Sequence, residues 1–190
     1  MNFLDLLTPV GPSRVGRIDG VVVGIVTNNQ DPDKIGRVRV KFPWLNDTDE
    51  GAWARMAVPM AGDKRGMFFL PEVNDEVLVC FEQGDPRFPY VMGALWNGKD
   101  TPPETNADGH NDVRVIRSRS GHVIRFTDKA GGELLEIIDS SGKNKITIDS
   151  QANKVVISSS GGSIRLAASR IEIAAEATVD VTGSVVNLNC

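Results

Sequence analysis

Few residues of this chain have types and spacing that could support catalysis or metal binding. There are two histidines, His110 and His122, and two cysteines, Cys80 and Cys190. Neither histidine has a metal-ligand spacing or a neighbouring nucleophile in sequence, so surface positions are favoured for both. Cys190 could be a reactive thiol, or a metal ligand where three chain ends converge, but a frayed terminus is favoured. We therefore predict no metal and no cofactor.

The carboxylates Glu72, Asp75 and Glu76 stand close enough in sequence to suggest a general acid–base group. Turn and strand-start positions in a β domain are the favoured alternative for all three. The sequence also contains no serine elbow, phosphate-binding loop or dinucleotide-binding glycine motif. We predict that the chain is not an enzyme.

Four arginines form the one basic cluster of the sequence, and they are Arg114, Arg117, Arg119 and Arg125. Binding of a single-stranded nucleic acid would need aromatic side chains among them, and Phe126 is the one nearby aromatic residue. The formal net charge of -4 argues further against nucleic acid or anionic membrane as the main partner. A solvated outer face is favoured for this cluster over a polyanion site.

The composition divides the chain into two halves. All ten prolines lie at or before Pro103, and ten of the eleven aromatic residues lie at or before Trp96. We predict an N-terminal segment 1–16, a β domain 17–99, a linker 100–111 and a repetitive domain 112–190. No apolar run approaches the roughly 20 residues of a membrane-spanning helix. The start lacks a basic region, so export by a signal peptide is not expected. Two cysteines cannot form a disulfide framework, which fits a reducing compartment such as the cytoplasm.

The first half has five strand-like segments, which are Val21–Val26, Gly36–Phe42, Trp53–Val58, Glu76–Phe81 and Tyr90–Leu95. Prolines stand at the ends of these segments, where a missing N–H does not interrupt a hydrogen-bond ladder. Five short strands without an amphipathic helix predict a small barrel of the OB type, with an SH3-like barrel as the alternative.

The second half is a repeat of apolar pairs whose two members are separated by one residue. The pairs are Val113/Val115, Ile124/Phe126, Leu135/Ile137, Ile146/Ile148, Val155/Ile157, Ile164/Leu166, Ile171/Ile173, Val179/Val181 and Val186/Leu188. Each pair is predicted to lie on one face of a short strand, and polar residues such as Thr147 are predicted to lie on the other face.

A repeat this short cannot form a core within one chain. Two buried Val or Ile side chains contribute about 1.5–3 kcal/mol each, whereas ordering eight residues costs roughly 8–16 kcal/mol of backbone entropy. Three chains wound around one axis would bury the apolar pairs together and pair every strand edge. We therefore favour a trimeric, triple-stranded β-helix needle over an antiparallel meander that dimerises. The predicted axis residues are Ile146, Ile148, Val155, Ile157, Ile164, Leu166, Ile171, Ile173, Val179 and Val181.

Several segments together resemble the spike proteins of contractile injection machines, the phage baseplate assembly protein V and Vgr families. The segments are Asp31–Trp44, Trp53–Arg55, Ala61–Gly62, Arg65–Val79, Phe81–Leu95, Asn97–Gly98, Pro102–Pro103 and Ser118–Phe126. The resemblance implies structural roles for the motif positions Gly36, Trp44, Trp53, Gly66, Pro71, Glu76, Gly84, Asp85, Pro86, Pro89 and Gly93. It covers residues 17–150, and the remainder resembles the needle by repeat type.

The resemblance implies a homotrimeric OB collar followed by a triple-stranded β-helix, which a contracting sheath drives through a target envelope. Larger relatives carry a hub domain where this chain has about 16 residues, so a separate hub protein is expected to bind Phe3, Leu4 and Leu7. A conical PAAR-repeat tip protein is expected to cap the other end. Its expected contacts are Val185, Val186, Leu188 and Cys190. The machine could be a phage tail, a type VI system or an extracellular particle.

One function of a different class stays open from the sequence. An OB-type barrel on a repetitive stalk could bind an oligosaccharide or a single-stranded nucleic acid through barrel aromatics.

Overall fold

A computed structural model describes residues 16–45 and 50–187, and every regular element longer than one turn in these ranges is a β-strand. The chain divides into two compact units between Pro102 and Pro103, inside the predicted linker. No helix within the described ranges is long and apolar enough to cross a membrane.

The first unit contains a closed barrel of five strands, and each of the five predicted strands is present. The barrel strands are β1 (Val21–Asn28), β2 (Val38–Lys41), β3 (Glu50–Met56), β6 (Glu76–Phe81) and β7 (Pro89–Ala94). They close in the order β1-β2-β3-β7-β6. Only the β3–β7 pair is parallel, and a single 3-10 turn, Glu82–Gly84, follows β6. The prediction of an all-β chain with a five-stranded OB-type barrel is confirmed.

Strict alternation of inward and outward residues forms the barrel core. Along β6, Val77, Val79 and Phe81 are buried, whereas the residues between them point outward. The other buried apolar side chains are Val26, Val38, Val40, Phe42, Ala54 and Val91. Because β-branched residues pack well on a pleated surface, a core composed mainly of valine matches the β propensity of its strands.

A short hairpin between β3 and β6 was not predicted from the sequence. It consists of β4 (Ala61–Gly62) and β5 (Arg65–Gly66). At Gly66, with a φ of 148°, an added Cβ would lie 2.5 Å from the carbonyl oxygen of Met60. A glycine is therefore required where the two arms of the hairpin approach each other.

The second unit begins as an antiparallel sheet of five strands in sequence order. They are β8 (Val113–Arg117), β9 (Val123–Thr127), β10 (Leu134–Ile138), β11 (Asn144–Asp149) and β12 (Lys154–Ser159). Within one chain this sheet is an antiparallel meander, the arrangement considered above as the alternative to a trimeric needle. No strand is assigned from Ser160 to Asn187, the last residue described. The intertwined trimer therefore stays a prediction.

The structure corrects one apolar pair of the predicted repeat. Val115 lies opposite Arg125, and Ile116 lies opposite Ile124. Since Ile124 belongs to the apolar face of the sheet, Ile116 shares that face, and Val113 and Val115 lie on the other. The register follows from the Ser118–Gly121 turn, where the N–H of Gly121 donates to the carbonyl oxygen of Ser118 over 2.9 Å. The apolar spacing alone did not contain that information.

Candidate assembly surfaces

The repeat unit has an apolar face but no core. An unbroken cross-strand row of isoleucines, one from each strand, consists of Ile116, Ile124, Ile137, Ile146 and Ile157. These five side chains are 38% to 61% exposed. Among the residues that the structure describes, every buried side chain lies in the first unit. The apolar face is therefore the main unsatisfied surface of the second unit.

The isoleucine row lines a groove of about 630 Å³, which also includes Ile164 from the segment after β12. Its rim is polar and includes Ser118, His122, Asp139 and Asn144. An apolar floor with a polar rim is the arrangement of a protein–protein interface more than that of a catalytic cleft.

The opposite face of the same sheet is more polar, although Val113, Val115 and Val156 also lie on it. Thr147 lies opposite Glu136 and Val156 in the register. Lys145 makes an ion pair with Glu136 at 3.6 Å between the ammonium nitrogen and the carboxylate oxygen. The register places Thr147 on the face away from the isoleucine row, as predicted, although its hydroxyl is buried in the single chain.

The four arginines of the basic cluster do not form one patch. Arg114 lies on the apolar face, opposite Phe126, and pairs with Asp128. Arg125 lies on the other face, and its guanidinium is 3.7 Å from the carboxylate of Glu104. Since at least two of the arginines are paired with carboxylates and lie on different faces, the cluster has no geometry suited to a polyanion.

Polar side chains close the turn between β10 and β11. The carboxylate of Asp139 accepts hydrogen bonds from the backbone N–H of Asn144, the hydroxyl of Ser141 and the amide of Asn144. These bonds, above all the backbone one, lower the pKa of Asp139 to about 2. In the neighbouring turn, the Nδ1 atom of His122 accepts from the N–H of Ser140 over 3.2 Å. Both residues therefore shape turns.

The remaining predicted axis residues lie in the segment without strands. Ile164, Leu166, Ile171, Ile173, Val179 and Val181 are all exposed in the single chain. Val185 and Val186, predicted to contact a tip protein, are exposed as well. Leu188 and Cys190 of that interface lie outside the described residues, as do Phe3, Leu4 and Leu7 of the predicted hub interface.

The family-motif positions of the barrel lie in different environments. Pro71 and Pro89 are buried, and the carbonyl oxygen of Pro71 accepts from the side-chain amide of Asn29 over 3.1 Å. Glu76 starts β6 and accepts from the amide of Asn97 over 3.3 Å. Gly36, Gly66 and Gly84 all have positive φ. Asp85 pairs with Arg87, whereas Trp44 and Pro86 are exposed, Trp53 is half-buried, and Gly93 lies in β7.

The carboxylates considered for acid–base chemistry serve the barrel turns. The carboxylate of Asp75 accepts the backbone N–H of Glu72 over 2.8 Å. No group of three or more potential metal-ligating side chains is present within residues 16–45 and 50–187. The hydrogen bond places Asp75 in a turn of the barrel, and neither observation indicates a reaction there.

An ion-pair network holds the loop before β2. The guanidinium of Arg37 donates to Asp31 at 2.7 Å and also pairs with Asp33. The carboxylate of Asp31 also accepts backbone N–H groups from Asp33, Ile35 and Arg37. The Arg37 side chain is the largest cause of a pKa for Asp31 far below the usual range.

Arg37→Ala should lower the thermal midpoint of the barrel most above about pH 4, where Asp31 is ionised in the folded and unfolded states. Since the pKa of Asp31 is lower in the folded than in the unfolded state, the stabilisation of the fold by its ion pair with Arg37 is lost as the pH falls toward the folded-state pKa. The gap between variant and parent should therefore narrow on acidification. Tryptophan fluorescence reports this unit alone, because Trp44, Trp53 and Trp96 all precede the second unit.

Arg37→Lys is the matched control, since it keeps the charge and loses the two-pronged guanidinium geometry. An intermediate midpoint is expected. A gap between Arg37→Ala and the parent that does not vary with pH would contradict a role for the ionised Asp31.

The surroundings of Trp53 on the barrel are relevant to the alternative function, binding of an oligosaccharide or a single-stranded nucleic acid. The guanidinium groups of Arg37 and Arg39 lie 5.8 and 5.5 Å from the centroid of the Trp53 ring. A stacked base or sugar would have to displace at least one of them. The observed contacts thus give no support to an oligosaccharide or nucleic-acid site on Trp53.

Two surfaces were missed by the sequence reasoning. One of them is the isoleucine row, which Ile116 completes. The spacing of eight residues between Ile116 and Ile124, across a Ser/Gly turn, could have indicated that they share a face. The alternating pair Val113/Val115 indicated the other face of the strand. The β4–β5 hairpin and its exposed Met and Phe side chains have no period-two pattern. They could have been suspected only from the Asp63-Lys64 turn and the flanking glycines.

By its fold, the protein belongs to the class of all-β chains in which an OB-type barrel is followed by a sheet of short repeats. Residues 22–96 match the family model described as the type VI secretion system/phage-baseplate injector OB domain. The barrel belongs to that family, and the resemblance of the chain to phage baseplate V and Vgr-type spikes is confirmed.

Spike proteins of the type VI secretion system are among the similar proteins. VgrG1a of Pseudomonas aeruginosa is 33% identical over 141 residues, which cover 68% of this chain and 22% of that relative. VgrG3 of Vibrio cholerae is 30% identical over 135 residues, or 64% of this chain and 13% of the relative. The actin cross-linking toxin VgrG1 of Vibrio cholerae is 28% identical over 148 residues, or 74% and 13%. The chain thus spans between 13% and 22% of the length of these relatives.

Proposed function

We propose that this chain is the central spike of a contractile injection machine and acts mechanically, without enzymatic activity. The observation that carries the proposal is a repeat unit with one apolar face and no buried side chain among its described residues. Two of the three relatives described above, VgrG1a and VgrG3, are named spike proteins, which supports the same role. Contraction of a sheath would drive the spike through the envelope of a target cell, with contact to the membrane only by mechanical force.

The exposed isoleucine row supports a homotrimeric state. A single sheet that leaves Ile137 49% exposed and Val155 65% exposed gains little of the roughly 1.5–3 kcal/mol that full burial of each side chain contributes. Three copies around one axis would turn three apolar faces toward one another and leave three polar faces in water. The segment 160–187, which makes no strand alone, would then complete a triple-stranded β-helix with strands from its neighbours.

The two ends of the assembled spike are proposed interfaces. Phe3, Leu4 and Leu7 would bind a separate hub protein of the baseplate. Val185, Val186, Leu188 and Cys190 would bind a PAAR-repeat-like tip protein. The spike would be assembled into a baseplate or particle in the cytoplasm and delivered to the target envelope on contraction.

Multi-angle light scattering on the full chain tests the trimer directly. The expected mass is about three times the 20.6 kDa of one chain. A variant that ends at Glu104 should lose the trimer or hold it weakly, since it lacks the isoleucine row. A full-length monomer would remove the physical basis of the spike proposal.

A further inference from the structure

The barrel has a basic, apolar patch on its hairpin side. Met60, Met67, Phe68 and Phe69, together with Ile35, are between 42% and 76% exposed. They line a groove of about 740 Å³. Methionine and phenylalanine are among the residues enriched in protein interfaces, and methionine in particular adapts its shape to a partner. We call this surface the hairpin patch.

The charged residues that line the hairpin patch are positive, although Asp63 lies in the turn of the hairpin itself. Lys34, Arg55, Lys64 and Arg65 line the groove, as does Arg37, which is neutralised by Asp31 and Asp33. No acidic side chain is among the residues lining it. The patch therefore suits an apolar surface with carboxylates at its margins, and it cannot pack symmetrically against a second copy of itself without opposing like charges.

A complementary surface lies on the outer face of β1 and β6, and we call it the sheet patch. Val21 lies opposite Cys80, and Val23 lies opposite Leu78. Val21 and Val23 are 58% and 42% exposed, and they lie in the part of β1 that pairs with β6. Gly93 of β7 lies opposite Leu78 and leaves open space where a side chain would stand.

One carboxylate flanks the sheet patch along its own strand. Glu76 begins β6 two residues before Leu78 and lies on the same face. Glu82, after the end of β6, instead accepts a hydrogen bond from the Tyr90 hydroxyl and lines a groove with Arg55. The opposite wall of the barrel, on β2 and β3, instead carries Arg39 and Arg55. The strands of the sheet patch contain Glu76 and no lysine or arginine, so this wall presents aliphatic side chains without the positive charge that would repel the hairpin patch.

The strand order places the two patches on different sides of the barrel. The hairpin follows β3, and β1 and β6 are the two strands that are not adjacent to β3 in the closed order. A contact in a ring of three identical copies is heterologous, which means that each copy contributes two different surfaces. We propose that the hairpin patch of one barrel packs against the sheet patch of the next copy, with Phe68 near Cys80. This inference rests on the trimer of the proposed function.

Crosslinking in the full-length chain tests the contact with a native reporter. In a Cys190→Ser background, Cys80 is the one remaining cysteine, and Phe68→Cys adds a second on the hairpin patch. A short bismaleimide should convert most of the chain to covalent trimer. Lys99→Cys, on an exposed loop after β7, is the matched control and should yield mainly uncrosslinked chain.

Gly93→Arg separates this contact from folding and from the needle. An added side chain at Gly93 meets no atom within 4 Å, so the tryptophan-monitored midpoint should not fall, while crosslinking through Phe68→Cys should be lost. The contact would be overturned if the chain had a trimeric mass but the Phe68→Cys variant formed no covalent trimer, or formed no more than the Lys99→Cys variant. Either result would leave the spike proposal intact. A monomeric mass for the Cys190→Ser chain would overturn both.

Discussion

Ile146→Lys is expected to abolish trimer formation and leave the barrel folded. Ile146 is in the middle of the isoleucine row, 39% exposed in a single chain and opposite Ile137 and Ile157. In the proposed trimer the substitution places three ammonium groups close to one axis. Burial of one unpaired ion costs several kcal/mol after relaxation, and mutual repulsion adds to that cost. The measurement is mass by light scattering together with tryptophan fluorescence, which reports the barrel.

The adjacent residue gives a matched control. Thr147 is on the polar face, opposite Glu136, so Thr147→Lys introduces the same side chain beside a carboxylate and should remain trimeric. Ile164→Asp and Ile171→Asp test the axis further along the chain and should also block assembly. A soluble trimer of Ile146→Lys with unchanged melting would contradict a role for the isoleucine row in assembly.

Val91→Asp is expected to unfold the barrel. Val91 is fully buried, and it lies opposite Val79 of β6 and Met56 of β3. A buried carboxylate without a partner must remain ionised at high cost or take up a proton. Either cost is a large part of the total stability of a small domain, about 5–15 kcal/mol. Loss of the cooperative tryptophan transition is the expected readout.

Met92→Asp is the control for Val91→Asp, since Met92 is the next residue of β7 and is 50% exposed. Its transition should stay close to that of the parent chain. If Val91→Asp also kept a cooperative transition near that of the parent, the assignment of Val91 to the barrel core would be wrong.

Local alternation is the reason that the barrel could be predicted. Glu76–Phe81 alternates in sequence, and the structure buries Val77, Val79 and Phe81. Prolines at strand ends marked where the ladders stop, and Pro89 does begin β7. Each signal depends on residues one or two positions apart, so a single sequence is sufficient to detect it.

The missed features depend on the geometry of turns. Two alternating pairs, Val113/Val115 and Arg114/Ile116, compete within β8, and a one-residue shift of the register moves every side chain to the other face. The Ser118–Gly121 turn sets the register that places Ile116 on the apolar face. The β4–β5 hairpin likewise depends on the positive φ of Lys64 and Gly66. The apolar pattern of its flanks does not indicate it.

By itself, the sequence determined the all-β class, the five barrel strands, the repetitive second half and the family, because these depend on local residue patterns. Only the tertiary structure decided which side chains share a face. It assembled the isoleucine row from five separate strands, and it separated the hairpin patch from the sheet patch by the closure of the barrel. The physical reason is that strand register and barrel closure join residues distant in the chain, and turn conformation sets both.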